Sequence, residues 1–596
     1  MNQGANQPAH VNQAAHVNNE RSQYREAVLG FRRLAGWIVF GIALFICWRA
    51  AEVRPTAFFE PGVAASLWRF IEGLFPPDLS PGFLRVVAAA TVQTLAIAIT
   101  GTILSIIIGL PLSVIATPTL WQRGVLRAGE KTGVATSLLA VISRATREVL
   151  GFLRAVPDLM WGLLFVVAVG LGSLAGTLAL AVSYCGILGR VYADVFEDVD
   201  SRPLEALHAL GATRTQVFLY AIWPQAAPSI TAYTIYSFEC CVRAASVLGF
   251  IGAGGIGYEI NLSMRMFEYG QVLTLIMALV GLVSVTDVSS RFLRRRLHAN
   301  APAGSLAHKR LKDGRSARRW SKLFGVKANT AIVLVVIFIV AASIHTTGLS
   351  RIVFLDSGLP ARMARFAGQL FPPDLSLEFL SSLLLPLIQT IGISVIGTLI
   401  GIIIGAVLSL PATSTMTLEQ DDAVGKHSLF DRILRRLIYY LVRFTLNLLR
   451  SIPELVWVMI CILAVGLGPF AGTLAIGLHT GGVLGKLYAE TLEEVPVQPI
   501  EALRASGARP MQILLWGMWP QARPTMLSYT VLRWEMNLRV STILGLVGGG
   551  GLGQAIYTNV QLGFYPRIAT IIALMYMLVM MTNWLGDRLR SRRTAT

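Results

Sequence analysis

Leu74-Phe75-Pro76-Pro77-Asp78-Leu79-Ser80 recurs unchanged, 296 positions further on, as Leu370-Phe371-Pro372-Pro373-Asp374-Leu375-Ser376. The same offset relates Gln93-Thr94-Leu95 to Gln389-Thr390-Ile391, and Arg154-Ala155-Val156-Pro157-Asp158 to Arg450-Ser451-Ile452-Pro453-Glu454. It also relates the AGTLA stretches that begin at Ala175 and Ala471, and Trp223-Pro224-Gln225 to Trp519-Pro520-Gln521. A constant offset with no insertion makes one half of the 596-residue chain a duplicate of the other. Both copies therefore carry the same number of spans in the same orientation, a parallel rather than an inverted repeat.

Composition fixes the class of this duplicate. The chain is 54% hydrophobic and 14% charged, with a mean hydropathy of +0.61, too apolar for a soluble or disordered chain of this length. Its five cysteines have no metal-ligand spacing and no partner in the other copy, and read as small buried hydrophobes, with no metal site. The net charge of +18 sits in clusters between apolar runs, which excludes nucleic acid as the partner and points to membrane topology. The first apolar run starts after an Asn/Gln/His-rich tail carrying Arg21, Arg25, Arg32 and Arg33 and lacks a small-residue cleavage site, so it reads as a retained helix rather than a signal peptide.

Runs of about 20 apolar residues fall near 36–51, 86–117, 149–170, 174–195, 217–250 and 270–290, and again near 330–349, 382–413, 445–466, 470–489, 513–546 and 566–585. The fold class is thus all-α and polytopic, with about six spans per copy and about 12 in all. The run 86–117 is overlong and holds Gly101, Gly109 and Pro111, so it is expected to tilt or break. Arg123, Arg127, Lys131, Arg144 and Arg147 fall on the same side as Arg294, Arg295, Arg296, Lys309 and Arg310, which makes that side and both termini cytoplasmic. The expected organisation is a tail at 1–35, a first membrane repeat at 36–290 (core about 88–290), a basic linker at 291–328, a second repeat at 329–588 (core about 384–587) and a tail at 589–596.

The loop between the fourth and fifth spans reads Glu205-Ala206-Leu207-His208-Ala209-Leu210-Gly211 and runs on to Trp223-Pro224; its duplicate reads Glu501-Ala502-Leu503-Arg504-Ala505-Ser506-Gly507 and runs on to Trp519-Pro520. Pro203 and Pro499 suit a first helical turn, with Glu205 and Glu501 following at the helix N-terminus and the glycine closing a short helix. Glu-Ala, a glycine six residues after the Glu and a proline thirteen beyond it resemble the "EAA" loop of ABC importer permeases, with Leu207 and Leu503 departing from the third-position alanine. The resemblance implies two tandem type I importer transmembrane domains, in which Glu205, Ala206, Gly211, Pro224, Glu501, Ala502, Gly507 and Pro520 form the coupling loops. It also implies two cytoplasmic ATPase subunits gripping those loops, an extracytoplasmic binding protein delivering substrate, and ATP and Mg bound by the ATPase, with no cofactor on this chain. The chain would lie in the lipid bilayer of the cytoplasmic (inner) membrane.

Downstream, Gly252, Gly254 and Gly257, like Gly548, Gly550 and Gly553, show the spacing G-x-G-x-x-G. A dinucleotide fold is excluded, because no strand-helix alternation surrounds the glycines and they close a membrane span; no P-loop lysine follows, so the chain is not expected to hydrolyse ATP. Glycine here lets backbone turn, or approach a neighbour, at the mouth of a pathway. With the preceding Glu-x-x-x-Arg, the stretch is similar to permeases of phosphonate-type importers, which imply phosphonate, phosphate or phosphite as substrate; methionine-type permeases share part of the pattern.

Glu239 and Arg243, and Glu535 and Arg539, lie four apart on the fifth spans. As ionisable residues inside a membrane they are candidates for a translocation path, together with Gly252, Gly254, Gly548 and Gly550, the arginines offering positive potential to an anion. The alternative is that each arginine neutralises its own glutamate. Asp158 and Glu454, after Pro157 and Pro453, read as helix caps or neighbour contacts, and His208 and His479 as unmatched singletons. An ion-coupled secondary transporter is the other class of function, but the matched acids within spans each sit beside an arginine.

Overall fold

A computed structural model of the chain describes residues 38–59, 62–118, 134–298, 326–350, 358–417 and 429–594. The tail at 1–35, most of the linker at 291–328 and the cluster Arg123, Arg127 and Lys131 lie outside the described residues. The first copy comprises α1 (38–50), α2 (Val63–Leu74), α3 (Pro81–Ala116), α4 (Val134–Ala155), α5 (Asp158–Val169), α6 (Ser173–Glu197), α7 (Ser201–Ala209), α8 (Trp223–Leu248), α9 (Ile256–Arg265) and α10 (Tyr269–His298). The second comprises α11 (Val326–Thr346), α12 (Leu359–Gln369), α13 (Leu384–Ala412), α14 (Leu429–Ser451), α15 (Glu454–Val465), α16 (Pro469–Glu493), α17 (Val497–Ala505), α18 (Trp519–Leu544), α19 (Gly551–Gln561) and α20 (Tyr565–Thr594). Each helix of the first copy thus has its duplicate ten places later. Among the described residues there is no strand. By length and composition six described helices can cross a bilayer, or up to nine when each of three bent pairs is one span.

The central packing is α3 on α6 and α13 on α16. A methyl group at Gly101 would sit 2.8 Å from Leu180 Cβ, one at Gly109 3.3 Å from Cys185 O, and one at Gly405 2.9 Å from Gly485 N. Small residues therefore let these backbones approach closely, where no hydrophobic effect drives helices together in lipid. The glycines serve contact rather than a break: α3 runs uninterrupted for 36 residues through Pro111. At about 54 Å it outruns the roughly 30 Å hydrocarbon core.

The third expected span of each copy is not straight. α4 and α5 meet at 89°, and α14 and α15 at 98°, so the runs near 149–170 and 445–466 are each broken at a proline. Pro157 and Pro453 are the N-caps of α5 and α15, and a proline pushes the residue before it out of helical geometry. Each corner is closed from inside, Trp161 Nε1 donating to Leu153 O at 3.3 Å and Trp457 Nε1 to Leu449 O at 3.1 Å. α5 and α15 have 12 residues each, about 18 Å, too short to cross alone.

The copies exchange their N-terminal parts. α11 packs on α3, α2 on α15 and α12 on α5, while a methyl at Gly392 of α13 would meet Cys47 O of α1 at 2.7 Å. One apolar core runs through both copies, from Leu159, Leu163 and Cys241 to Leu455, Cys461 and Leu538. The Phe-Pro-Pro-Asp turns, whose Phe75–Pro76 and Phe371–Pro372 bonds are cis, fasten onto the starts of α10 and α20. Asp78 N donates to Gly270 O at 3.1 Å and Thr274 Oγ1 to Asp78 O at 2.9 Å; Thr570 Oγ1 repeats the second bond to Asp374 O at 2.7 Å. Ser80 N donates to Asp78 Oδ1 at 2.9 Å, and this bond holds the Asp78 carboxyl below its usual range.

Candidate functional site

The two loops with Glu-Ala fold as short exposed helices held by one buried side chain each. Leu204 of α7 lies among Leu188, Tyr192, Phe196 and Ile222, and Ile500 of α17 among Tyr488, Ile513 and Met518. Both helices end in a Schellman motif: Gly211 N donates to His208 O (2.9 Å) and Ala212 N to Leu207 O (3.1 Å), with Gly507 N to Arg504 O and Ala508 N to Leu503 O at 3.0 Å each. The motif needs a left-handed residue at its turn, and Gly211 and Gly507 supply it at φ +83° and +81°. The helix starts differ from expectation. α7 begins at Ser201 with Asp200 as its cap, donated to by Arg202 N at 3.1 Å, and α17 begins at Val497, so Glu205 and Glu501 stand beyond the first turn. Both are exposed, as are Ala206, Ala502, Pro224 and Pro520.

A widened π-type turn, Phe218–Ile222 and Ile513–Met518, leads into each Trp-Pro. Proline brings no N–H to that turn, and the following glutamine supplies a donor, Gln225 Nε2 to Ala221 O (2.9 Å) and Gln521 Nε2 to Gly517 O (2.7 Å). Around the loops stand the exposed side chains of Leu210 (84% exposed), Tyr220 (73%) and Trp516 (76%). At α17 an open groove of about 410 Å³ is lined by Leu503, Ser506, Gly507, Ala508, Gln512 and Trp516. The copies differ at Thr213 and Arg509. Thr213 exchanges bonds with Gln216 in both directions through its N–H and its hydroxyl. Arg509 N likewise donates to Gln512 Oε1 at 2.7 Å, but Gln512 N turns to the Arg509 backbone carbonyl at 2.9 Å, since a guanidinium accepts nothing.

The glycine stretches form tight turns between α8 and α9 and between α18 and α19. Gly252, Gly254, Gly548 and Gly550 all have positive φ, between +76° and +95°. They pack against Leu171, Gln93, Leu467 and Pro469 respectively. The repeated Gln-Thr pair then caps the helix that follows: Gly255 N donates to Gln93 Oε1 and Ile256 N to Thr94 Oγ1, both at 2.9 Å, and Leu552 N to Thr390 Oγ1 at 2.9 Å. These N-terminal amides, which a nucleotide-binding turn would offer to phosphate, are taken by side chains of α3 and α13. Thr94→Val with Thr390→Val leaves two buried N–H groups unpaired and is expected to cost about 1–3 kcal/mol per site. A thermal unfolding midpoint unchanged from wild type would count against these caps.

The Glu-x-x-x-Arg pairs are ion pairs, Arg243 Nη2 to Glu239 Oε1 at 2.7 Å and Arg539 Nη2 to Glu535 Oε1 at 3.0 Å, with both glutamates buried. Arg243 also faces Asp287 of α10, and Arg294 faces Glu239 at 3.5 Å. The pairs therefore meet α10 and its duplicate, while the glycine turns meet α3, α6 and their duplicates. Asp158 accepts from Ser183 Oγ at 2.8 Å. Glu454, in contrast, meets His479 and, at 3.2 Å, Arg533, so His479 is the middle of a buried charged cluster. Sequence reasoning passed over Arg533, Asp287 and Arg450; an arginine within the fifth span of one copy only was the available signal for the first.

The family described as binding-protein-dependent transport system inner membrane component matches residues 132–299 and 428–594. A phosphate-import permease protein of Mycolicibacterium smegmatis is 30% identical over 546 residues, 91% of this chain and 92% of that protein. A phosphite transport system permease protein of Stutzerimonas stutzeri is 35% identical over 258 residues, 43% of this chain and 87% of its own length. A solved structure of the MetNI methionine ABC transporter in inward-facing conformations is 24% identical and covers 37% of this chain and 100% of its own, with a TM-score of 0.32.

Proposed function

Because the chain belongs to the family of binding-protein-dependent transport system inner membrane components, whose domain it carries twice, we propose that it is the permease of an ATP-driven importer for a small phosphorus oxyanion: phosphonate, phosphate or phosphite. The observation that carries the substrate class is the similarity to a phosphate-import permease along 91% of the chain, together with a phosphite permease among its relatives. In this reading the two copies form a pseudo-dimer, so one chain replaces two subunits. The loops at Glu205–Gly211 and Glu501–Gly507 face the cytoplasm and each receives one of two ATPase subunits. Their exposed apolar side chains and glycine-closed ends favour docking of a protein surface. The chain hydrolyses no ATP itself. Both termini and the linker at 291–328 lie on the cytoplasmic side of the inner membrane, and a binding protein delivers the anion from outside.

Transport then rests on alternating access. ATP binds more tightly to one arrangement of the two halves and so shifts the population towards it; hydrolysis returns the other. Arg243 and Arg539, on α8 and α18, offer cationic groups along the path, each softened by its neighbouring glutamate. The test is ATPase activity of the full chain in nanodiscs with the ATPase encoded beside it and a candidate binding protein. That protein is loaded in turn with 2-aminoethylphosphonate, phosphate, phosphite or methionine. Stimulation by a phosphorus oxyanion and not by methionine is expected. Stimulation by methionine alone overturns the substrate class, and failure of any ATPase to bind overturns the importer reading.

A further inference from the structure

Asp287 of α10 in the first copy meets Arg450 of α14 in the second, Arg450 Nη2 lying 3.4 Å from Asp287 Oδ2. The side chains are 12% and 25% exposed. Behind this cross-copy pair stands a chain of charges within the first copy: Arg243 Nη2 reaches Asp287 Oδ1 at 3.7 Å and Glu239 Oε1 at 2.7 Å, and Arg294 reaches Glu239 Oε2 at 3.5 Å. The duplicate positions do not repeat it. Arg154 duplicates Arg450, but Asp287 becomes Asn583. That amide, in the orientation that satisfies its neighbours, donates to Glu535 Oε1 of its own copy at 2.6 Å. At the matching α4–α20 contact Phe152 and Tyr576 meet edge to face at 5.2 Å, and Arg154 stands near Arg539.

We infer that Asp287 and Arg450 form a one-sided latch that ties the two halves together in the conformation described here and must open when the halves move apart. This rests on the permease reading for its purpose. The physical basis is the difference between the two interfaces. When the ion pair separates, an acid selected by a cation across the interface loses that partner, whereas the Phe152–Tyr576 contact can slide without leaving a charge behind. The partners are partly exposed, so the latch biases an equilibrium rather than locking it, on the order of two- to fivefold in population. A duplicated chain can thereby hold its two interfaces with unequal strength, which two identical subunits, bound to carry the same residue at both interfaces, cannot.

The test uses the full chain in nanodiscs, with its five native cysteines replaced by alanine and spin labels at the exposed positions Val285 of α10 and Leu441 of α14. Asp287→Asn introduces the residue already tolerated at the duplicate position, so folding is retained. It is expected to raise a longer-distance population by about two- to fivefold, Arg450→Gln to do the same, and the double variant to do no more than either. With the partner ATPase added, basal hydrolysis should rise by a similar factor. An unchanged distance distribution in Asp287→Asn, or effects that add in the double variant, overturns the latch. Failure of the ATPase to associate would instead strike the permease reading, and the distances would still decide the latch.

Discussion

Replacing Gly211 and Gly507 together by valine is expected to lower substrate uptake by at least about tenfold while the chain remains folded in the membrane. Both residues adopt left-handed backbone, at φ +83° and +81°, which costs an ordinary L-residue about 1–2 kcal/mol and a β-branched one more. Nothing lies within 4 Å of a Cβ built at either position, so the penalty is local strain rather than a clash with the core. The strain is relieved by abandoning the Schellman bonds from Gly211 N, Ala212 N, Gly507 N and Ala508 N. That redirects the end of each exposed helix on the face proposed to meet the ATPase. Leu204 and Ile500 remain buried, and α8 and α18 are untouched. The measurement is uptake in vesicles alongside copurification of the ATPase. Wild-type values of both would exclude these helix ends from coupling.

The largest effect on stability is expected from Gly257→Ala and from Gly553→Ala. A methyl group at Gly257 would lie 1.8 Å from Ser246 O, and one at Gly553 2.4 Å from Thr542 O. Those atoms are backbone of the preceding span, so no side-chain rotation makes room. Here the backbone dihedral is ordinary and the objection is steric, the reverse of Gly211. Each substitution is expected to destabilise by about 3 kcal/mol or more, seen as loss of monodisperse protein after solubilisation or a marked fall in the unfolding midpoint. A Gly257→Ala chain that melts with wild type would show that α9 does not fold back on α8 as described.

The duplication, the helical class and the family were legible from residues alone, because a constant 296-position offset and runs of apolar residues require no knowledge of contacts. Even local detail was readable where it depends on near neighbours: Gly211 closes its helix because only a glycine turns left-handed without cost, and Glu239 pairs with Arg243 because four residues make one face of a helix. Two expectations failed for reasons of scale. A 20-residue apolar run does not announce a corner, so the span near 149–170 became α4 and α5 at 89°. Glu205 was assigned to a helix N-terminus that Asp200 in fact caps, five residues earlier.

What only tertiary structure decided is which distant residues share a place. Gln93 and Thr94, 162 positions from the amides they cap, were visible as a repeated pair but carried no sign of their partners. His479 looked isolated until α16, α15 and α18 brought Glu454 and Arg533 beside it. The asymmetry of Asp287 against Asn583 reads on the page as ordinary divergence; it acquires meaning only because α14 of the second copy sets Arg450 against Asp287 of the first. A sequence lists charges along a line, and their energy depends on separation and burial in space. Periodicity therefore determined what the chain builds, while the packing of the two copies determined which of its charges face one another.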